Sequence, residues 1–178
     1  MNASANELNR RPGEEEYFEY YGAYIALVPD ADCLKLLESQ IAELREFFAD
    51  LSDSDAETVH APYTWTIKQV VGHLIDTERV FADRLHRISS GESQPQPAFD
   101  QNPYVDNQDY HSPSLKSLVD ELIYCRQANL LMVRRVRPEA WNRRGVASGH
   151  SISVRALAWI LIGHIIHHLA ILRKRLNK

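Results

Sequence analysis

"VRALAWILIGHIIHHLAILRKRL", residues 154–176, decides the fold. From Val154 to Leu172 it is apolar nearly all round, interrupted only by Arg155, His164, His167 and His168. A helix apolar on every side must be surrounded by other elements. Ser151 or Ser153 supplies a cap, and Arg173, Lys174 and Arg175 suit the negative end of the helix dipole. The remaining question is what surrounds it.

Three further segments carry amphipathic stripes. Over 31–51, Leu34, Leu37, Ile41, Leu44, Phe48 and Leu51 recur at spacings of three and four behind a cap at Asp30 or Asp32. "SDSD" closes that helix. Over 66–89, Thr66 and Gln69 form a capping box ahead of Ile67, Val70, Val71, Leu74, Phe81, Leu85 and Ile88. His73 borders this stripe. Over 113–136, Ser112 and Pro113 read as N-cap and first helical residue ahead of Leu115, Leu118, Val119, Leu122 and Ile123, and Pro138 marks the end. No strand pattern competes. The expected fold is all-α, a four-helix bundle in one domain covering 17–178 behind a flexible tail, 1–16. The aromatic stretch "YFEYYGAYIALVP" (17–29) is expected to pack across the surface without firm structure.

Between the second and third helices lies "SGESQPQPAFDQNPYVDNQDYHS", residues 90–112. Structureless links beyond about 12–15 residues are uncommon in compact domains. A crossover along the bundle explains this one, since each long helix spans about 34 Å at its ordinary rise. The order is then up-down-down-up, with the second and fourth helices antiparallel. Antiparallel packing also sets His73 at the depth of His164 and His168, whereas parallel packing separates them by about 10 Å.

Composition narrows the function. A net charge of −4 provides no general attraction for nucleic acid. The basic cluster "RRVRPEAWNRR" (134–144) reads as a solvated helix end, and Arg143 or Arg144 is a candidate wall of a substrate mouth beside the crossover. Two cysteines, Cys33 and Cys125, form no disulfide framework and fit a reducing cytoplasm. The polar N-terminus lacks a signal core, and "ALAWILIG" is too short to span a membrane.

His164 and His168 are four residues apart, so their rings project from one helical face. That spacing lets two imidazoles hold one metal ion. His73 is the candidate third ligand from a neighbouring helix, leaving a position open for a water or thiol. His167 also lies one turn from His164 but on the other side of it, and is assigned a supporting or surface role. Asp76, one turn after His73, is the candidate to orient a ligand ring or carry a proton, and Glu78 shares that candidacy. His60, His86, His111 and His150 read as loop or surface residues.

"YIALVP" (24–29), "TWTIKQVVGHLIDTERVFADRLHRI" (64–88), "FDQN" (99–102) and "GHIIHHLAILRKR" (163–175) resemble the DinB/YfiT-like superfamily over about residues 20–176. The resemblance implies an up-down-down-up bundle, often a homodimer. It also implies a divalent metal, nickel or zinc, held by His73, His164 and His168. Two departures from the family pattern, Ile165 and Ile171, fall where relatives often carry Glu and Gln. They leave the ligand trio intact and change the polar surroundings of the site.

The leading expectation is a metal-dependent transferase that activates a low-molecular-weight thiol for attack on an electrophilic small molecule. The alternatives are a metal-dependent hydrolase using metal-bound hydroxide, with Asp76 or Glu78 as proton carrier, and a non-catalytic metal-binding stress-response module.

Overall fold

A computed structural model describes residues 7–177. Four long helices form the body: α2 (Cys33–Phe48), α4 (Ile67–Ser89), α6 (Leu115–Arg134) and α7 (Val154–Leu176). Short helices α1 (Gly22–Leu27), α3 (Asp53–Ala56) and α5 (Gln101–Asn107) lie between or ahead of them. The caps follow from the sequence. Asp32 accepts from the Leu34 and Lys35 amides, Thr66 and Gln69 close their box, and Ser153 accepts from Ala156. One helix begins later than expected. Ser114, not Ser112, is the N-cap of α6, because its hydroxyl accepts the Ser117 amide.

The helices meet through their predicted stripes. All seven stripe residues of α4, from Ile67 to Ile88, are buried, as is the run Leu115–Ile123 on α6 at its apolar positions. α7 is enclosed by α1, α2 and α4. Among the described residues it is the helix long and apolar enough to cross a membrane, a length the sequence reading had denied to any run. It is a core helix here, with 72% of its most apolar window buried inside the bundle. Arg175 near the end of α7 donates to the Trp65 carbonyl just before α4, while Gly145 near the start of α7 lies against Ile88 at the end of α4. At the α4–α6 contact, Lys68 donates to the His111 carbonyl, and Asn129 donates to Glu78.

Two regions depart from expectation. The first is a β-hairpin, β1 (Arg144–Ala147) and β2 (His150–Ser153), where no strand was predicted. Its turn, Ser148–Gly149, has positive φ at both residues (53° and 80°), which matches the right-handed twist of two short strands. The crossover docks on it: the Gln96 amide donates to Val146, and Gln96 accepts from Ser148. The second is the N-terminal segment. Residues 1–6 of the expected tail lie outside the described residues, but 7–16 are packed. Leu8 is buried, and its carbonyl accepts the Trp159 indole N–H at 2.8 Å. Arg155 of α7 is buried and pairs with Glu16 at 2.6 Å and Glu7 at 3.3 Å. These acidic residues look solvated in the sequence; they neutralise a buried guanidinium supplied by the last helix.

The core falls into two apolar clusters. One gathers Phe81, Leu85 and Ile88 with Leu157–Ile162 near the hairpin; the other gathers Ile67–Ile75 with Ile165, Leu169 and Leu172. Between them runs a layer of buried polar side chains: Gln40, His73, Thr77, Glu78, Arg126 and His164.

Candidate metal centre

His73 sits in the second turn of α4, and His164 and His168 occupy successive turns of α7. Gly163 permits this arrangement. A Cβ there would collide with the Tyr24 backbone, so glycine lets α1 approach α7 and bring the Tyr24 ring edge-on to His164, with 5.4 Å between centroids. On the far side Trp65 lies 5.3 Å from the His73 ring.

The three Nε2 atoms converge. His164 Nε2 is 3.1 Å from His73 Nε2 and 3.1 Å from His168 Nε2. Burial drives all three rings towards the neutral form. It lowers His73 to about 4, with a smaller push from His167. It holds His164 and His168 well below the usual histidine range, their neighbours adding to the effect. A neutral Nε2 carries either one proton or one lone pair. His164 Nε2 can therefore make one hydrogen bond, and the other 3.1 Å contact is left without one. Nitrogens about 2.0–2.1 Å from a single zinc ion stand roughly 3 Å apart, so one divalent ion fits this donor set. The three atoms lie within 4.8 Å of one another, and the cluster could hold a metal. Nδ1 of His73 is buried without a hydrogen-bond partner among the described residues, and Nε2 is the atom directed at the cluster.

His167 is half-buried and faces Tyr24, 5.1 Å between centroids, beside the trio. Two carboxylates lie on α4 near His73. Asp76 accepts the Tyr110 hydroxyl at 2.6 Å through Oδ2. Burial raises its pKa, and the Tyr110 bond opposes that rise. Glu78 is fully enclosed, paired with Arg126 at 2.8 Å and accepting from Asn129 at 2.7 Å. Both partners come from distant segments, so helical spacing alone could not find them. Arg143 and Arg144 do not wall the site: they donate to the Ser89 and Glu15 carbonyls. A hollow of about 370 Å³ opens beside His73 and His164, walled by Tyr21, Tyr24, Phe81 and Phe99. Thr77, one turn after His73, also lines it. Its place at i+4 from His73 was the available signal, and the sequence reading passed over it.

A mostly helical bundle with a three-histidine cluster on two of its helices defines a class of helix-bundle proteins able to hold a metal. A family model described as the DinB superfamily matches residues 36–172, and the chain belongs to that superfamily. The structure resembles YfiT from Bacillus subtilis, described as a probable metal-dependent hydrolase with an unusual four-helix bundle topology. The identity is 19%, 99% of each chain is covered, and the TM-score is 0.71. It also resembles a mycothiol-dependent maleylpyruvate isomerase at 15% identity and TM-score 0.64, covering 80% of this chain and 60% of that one. At these identities the likeness is one of fold. No curated protein sequence gives a significant match.

Proposed function

We propose that His73, His164 and His168 hold one divalent cation, nickel or zinc, and that the protein activates a low-molecular-weight thiol for transfer to an electrophilic small molecule. The observation that carries this reading is the convergence of three neutral Nε2 atoms at 3.1 Å contacts that hydrogen bonding cannot satisfy together. A bound divalent ion supplies Lewis acidity and lowers the pKa of a coordinated thiol. The histidines contribute lone pairs without charge, so the ion keeps its full positive charge towards the thiol. Burial of the three rings resists their protonation.

A thiol is the nucleophile that asks less of a proton carrier. Asp76 Oδ2 accepts from Tyr110, and Glu78 is held by Arg126 and Asn129. A thiol starts from a pKa of about 8.5 and needs far less help than water. Hydrolysis with Asp76 or Glu78 as proton carrier is the second reading, supported by the likeness to YfiT.

The helix order of this reading is up-down-down-up, supported by the Arg175–Trp65 and Lys68–His111 contacts. We place the protein in the cytoplasm, with Cys33 and Cys125 both free. It acts as a homodimer in this reading, supported by exposed Tyr124 and Leu131 seven residues apart on α6. Nucleic acid and membrane are not among its proposed partners.

The test is a matrix of cellular thiols against electrophiles on metal-loaded protein. Turnover that requires a thiol supports the transferase. Thiol-independent turnover sinks it in favour of hydrolysis, and bound metal with no turnover across the matrix leaves a metal-binding module.

A further inference from the structure

The hollow beside the histidines has a distinct chemical character. Its walls are largely rings: Tyr21 stands edge-on to Phe81 at 5.7 Å, Phe18 stacks on His150 at 3.7 Å, and Phe99 joins them from the crossover, with Gln101, Asn102 and Ser148 also in the lining. Among the described residues no lysine or arginine lines it, and its acidic residue is Asp100. Asp100 is already used as the cap of α5, accepting the Asn102 amide.

Thr77 is the hydroxyl that α4 contributes beside His73. It is 2% exposed, yet its hydroxyl has no hydrogen-bond partner among the described residues. A threonine inside a helix ordinarily turns its hydroxyl to the carbonyl four residues back. Thr77 does not bond to that carbonyl, which belongs to His73. Its place one turn after His73 sets it on the same side of α4 as the metal-site ring. The result is a donor without an acceptor in a largely aromatic chamber whose lining holds no lysine or arginine side chain to pair with an anion.

We propose that this hollow seats the electrophilic substrate, that the substrate is an uncharged aryl compound carrying a hydrogen-bond acceptor, and that the Thr77 hydroxyl donates to that acceptor. This rests on the reading above, in which His73 and His164 bound the reacting end of the hollow. The flat ring fits between the aromatic walls, the acceptor meets the buried hydroxyl, and around the ring, away from the metal end, electron-rich faces and Asp100 offer an anion no basic side chain.

The experiment measures binding of four probes to metal-loaded protein by saturation-transfer NMR and calorimetry: acetophenone, ethylbenzene, cyclohexyl methyl ketone and benzenesulfonate. Acetophenone is expected to bind about 5- to 10-fold more tightly than each of the others, the size of one net hydrogen bond or less. Thr77→Val should erase the advantage of acetophenone over ethylbenzene, and Thr77→Ser should keep it. Equal affinities across the probes in the wild type overturn the proposal, and so does a Thr77→Val protein that keeps the preference. The wild-type series decides the question even if the valine variant fails to fold. Repeating the series on His168→Ala, whose ring is not in the hollow's lining, separates the two readings. Metal is then lost while the ketone preference remains. A wild type that binds no metal but prefers the ketone overturns the metal reading alone.

Discussion

Tyr110 donates its hydroxyl to Asp76 at 2.6 Å, tying the carboxylate one turn past His73 to the crossover segment. Tyr110→Phe should lower stability by about 1–3 kcal/mol, the range for a hydrogen bond lost from a buried acceptor. Divalent metal content should be unchanged in Tyr110→Phe and in Asp76→Asn. Elemental analysis after loading and dialysis checks this. A marked loss of metal in either variant would return Asp76 to the histidine cluster.

His73→Ala, His164→Ala and His168→Ala should each lower retained metal at least about tenfold, because removing one of three ligands costs far more than removing a supporting contact. His167→Ala should retain it. The same dialysis assay reads all four, and equal retention across the set means the site is wrongly placed.

Glu78 and Arg126 pair at 2.8 Å in the middle of the bundle. Removing one partner alone, as in Arg126→Met, should cost about 3–5 kcal/mol because the other charge stays buried. The double variant Glu78→Leu/Arg126→Met should recover most of that loss. Urea midpoints of the single and double variants make the comparison; additive losses would contradict the coupling.

Burial pushes the Glu16 carboxyl upward, but hydrogen bonds from Arg155, Ser153 and the Gly13 amide outweigh it, and its pKa lies below the ordinary 4.5. A carboxyl depressed in the folded state binds fewer protons there than in the unfolded chain. Its stabilisation is therefore complete above about pH 4.5 and is lost as pH falls through the folded value. The difference in unfolding free energy between wild type and Glu16→Gln should shrink from pH 7 to pH 3. A difference that does not change with pH rules this out.

Gly163→Ala places a methyl group against the Tyr24 backbone, which cannot swing aside as a side chain would. The expected cost is about 1–3 kcal/mol or more, together with displacement of α1. Thermal unfolding reads the first, and the fluorescence of the tyrosines on and beside α1 reads the second.

The four long helices were legible because each declares itself locally. Their stripes repeat at helical spacing, and Asp32, Thr66 with Gln69, and Ser153 cap them from within a few residues. The histidine trio was legible for a related reason: two members share one helix at i and i+4, and the third borders the apolar stripe of another long helix. Partners set by distant segments were not legible. Nothing near Asp76 points to Tyr110, and nothing near Glu16 points to Arg155, 139 residues away. The hairpin had a local sign, Ser148–Gly149, but its strands are four residues each and carry too little alternation to stand out beside the helices.

The docked N-terminal segment gives the chain an economy of architecture. Phe18, Tyr21 and Tyr24 roof a chamber whose floor lies on α4 and α7, and that roof is fastened by Leu8 to Trp159 and by Glu16 to Arg155. A chain trimmed to start at Cys33 would keep the three histidines in its sequence but lose that roof, uncover one side of α7 and leave the buried Arg155 without Glu16 and Glu7.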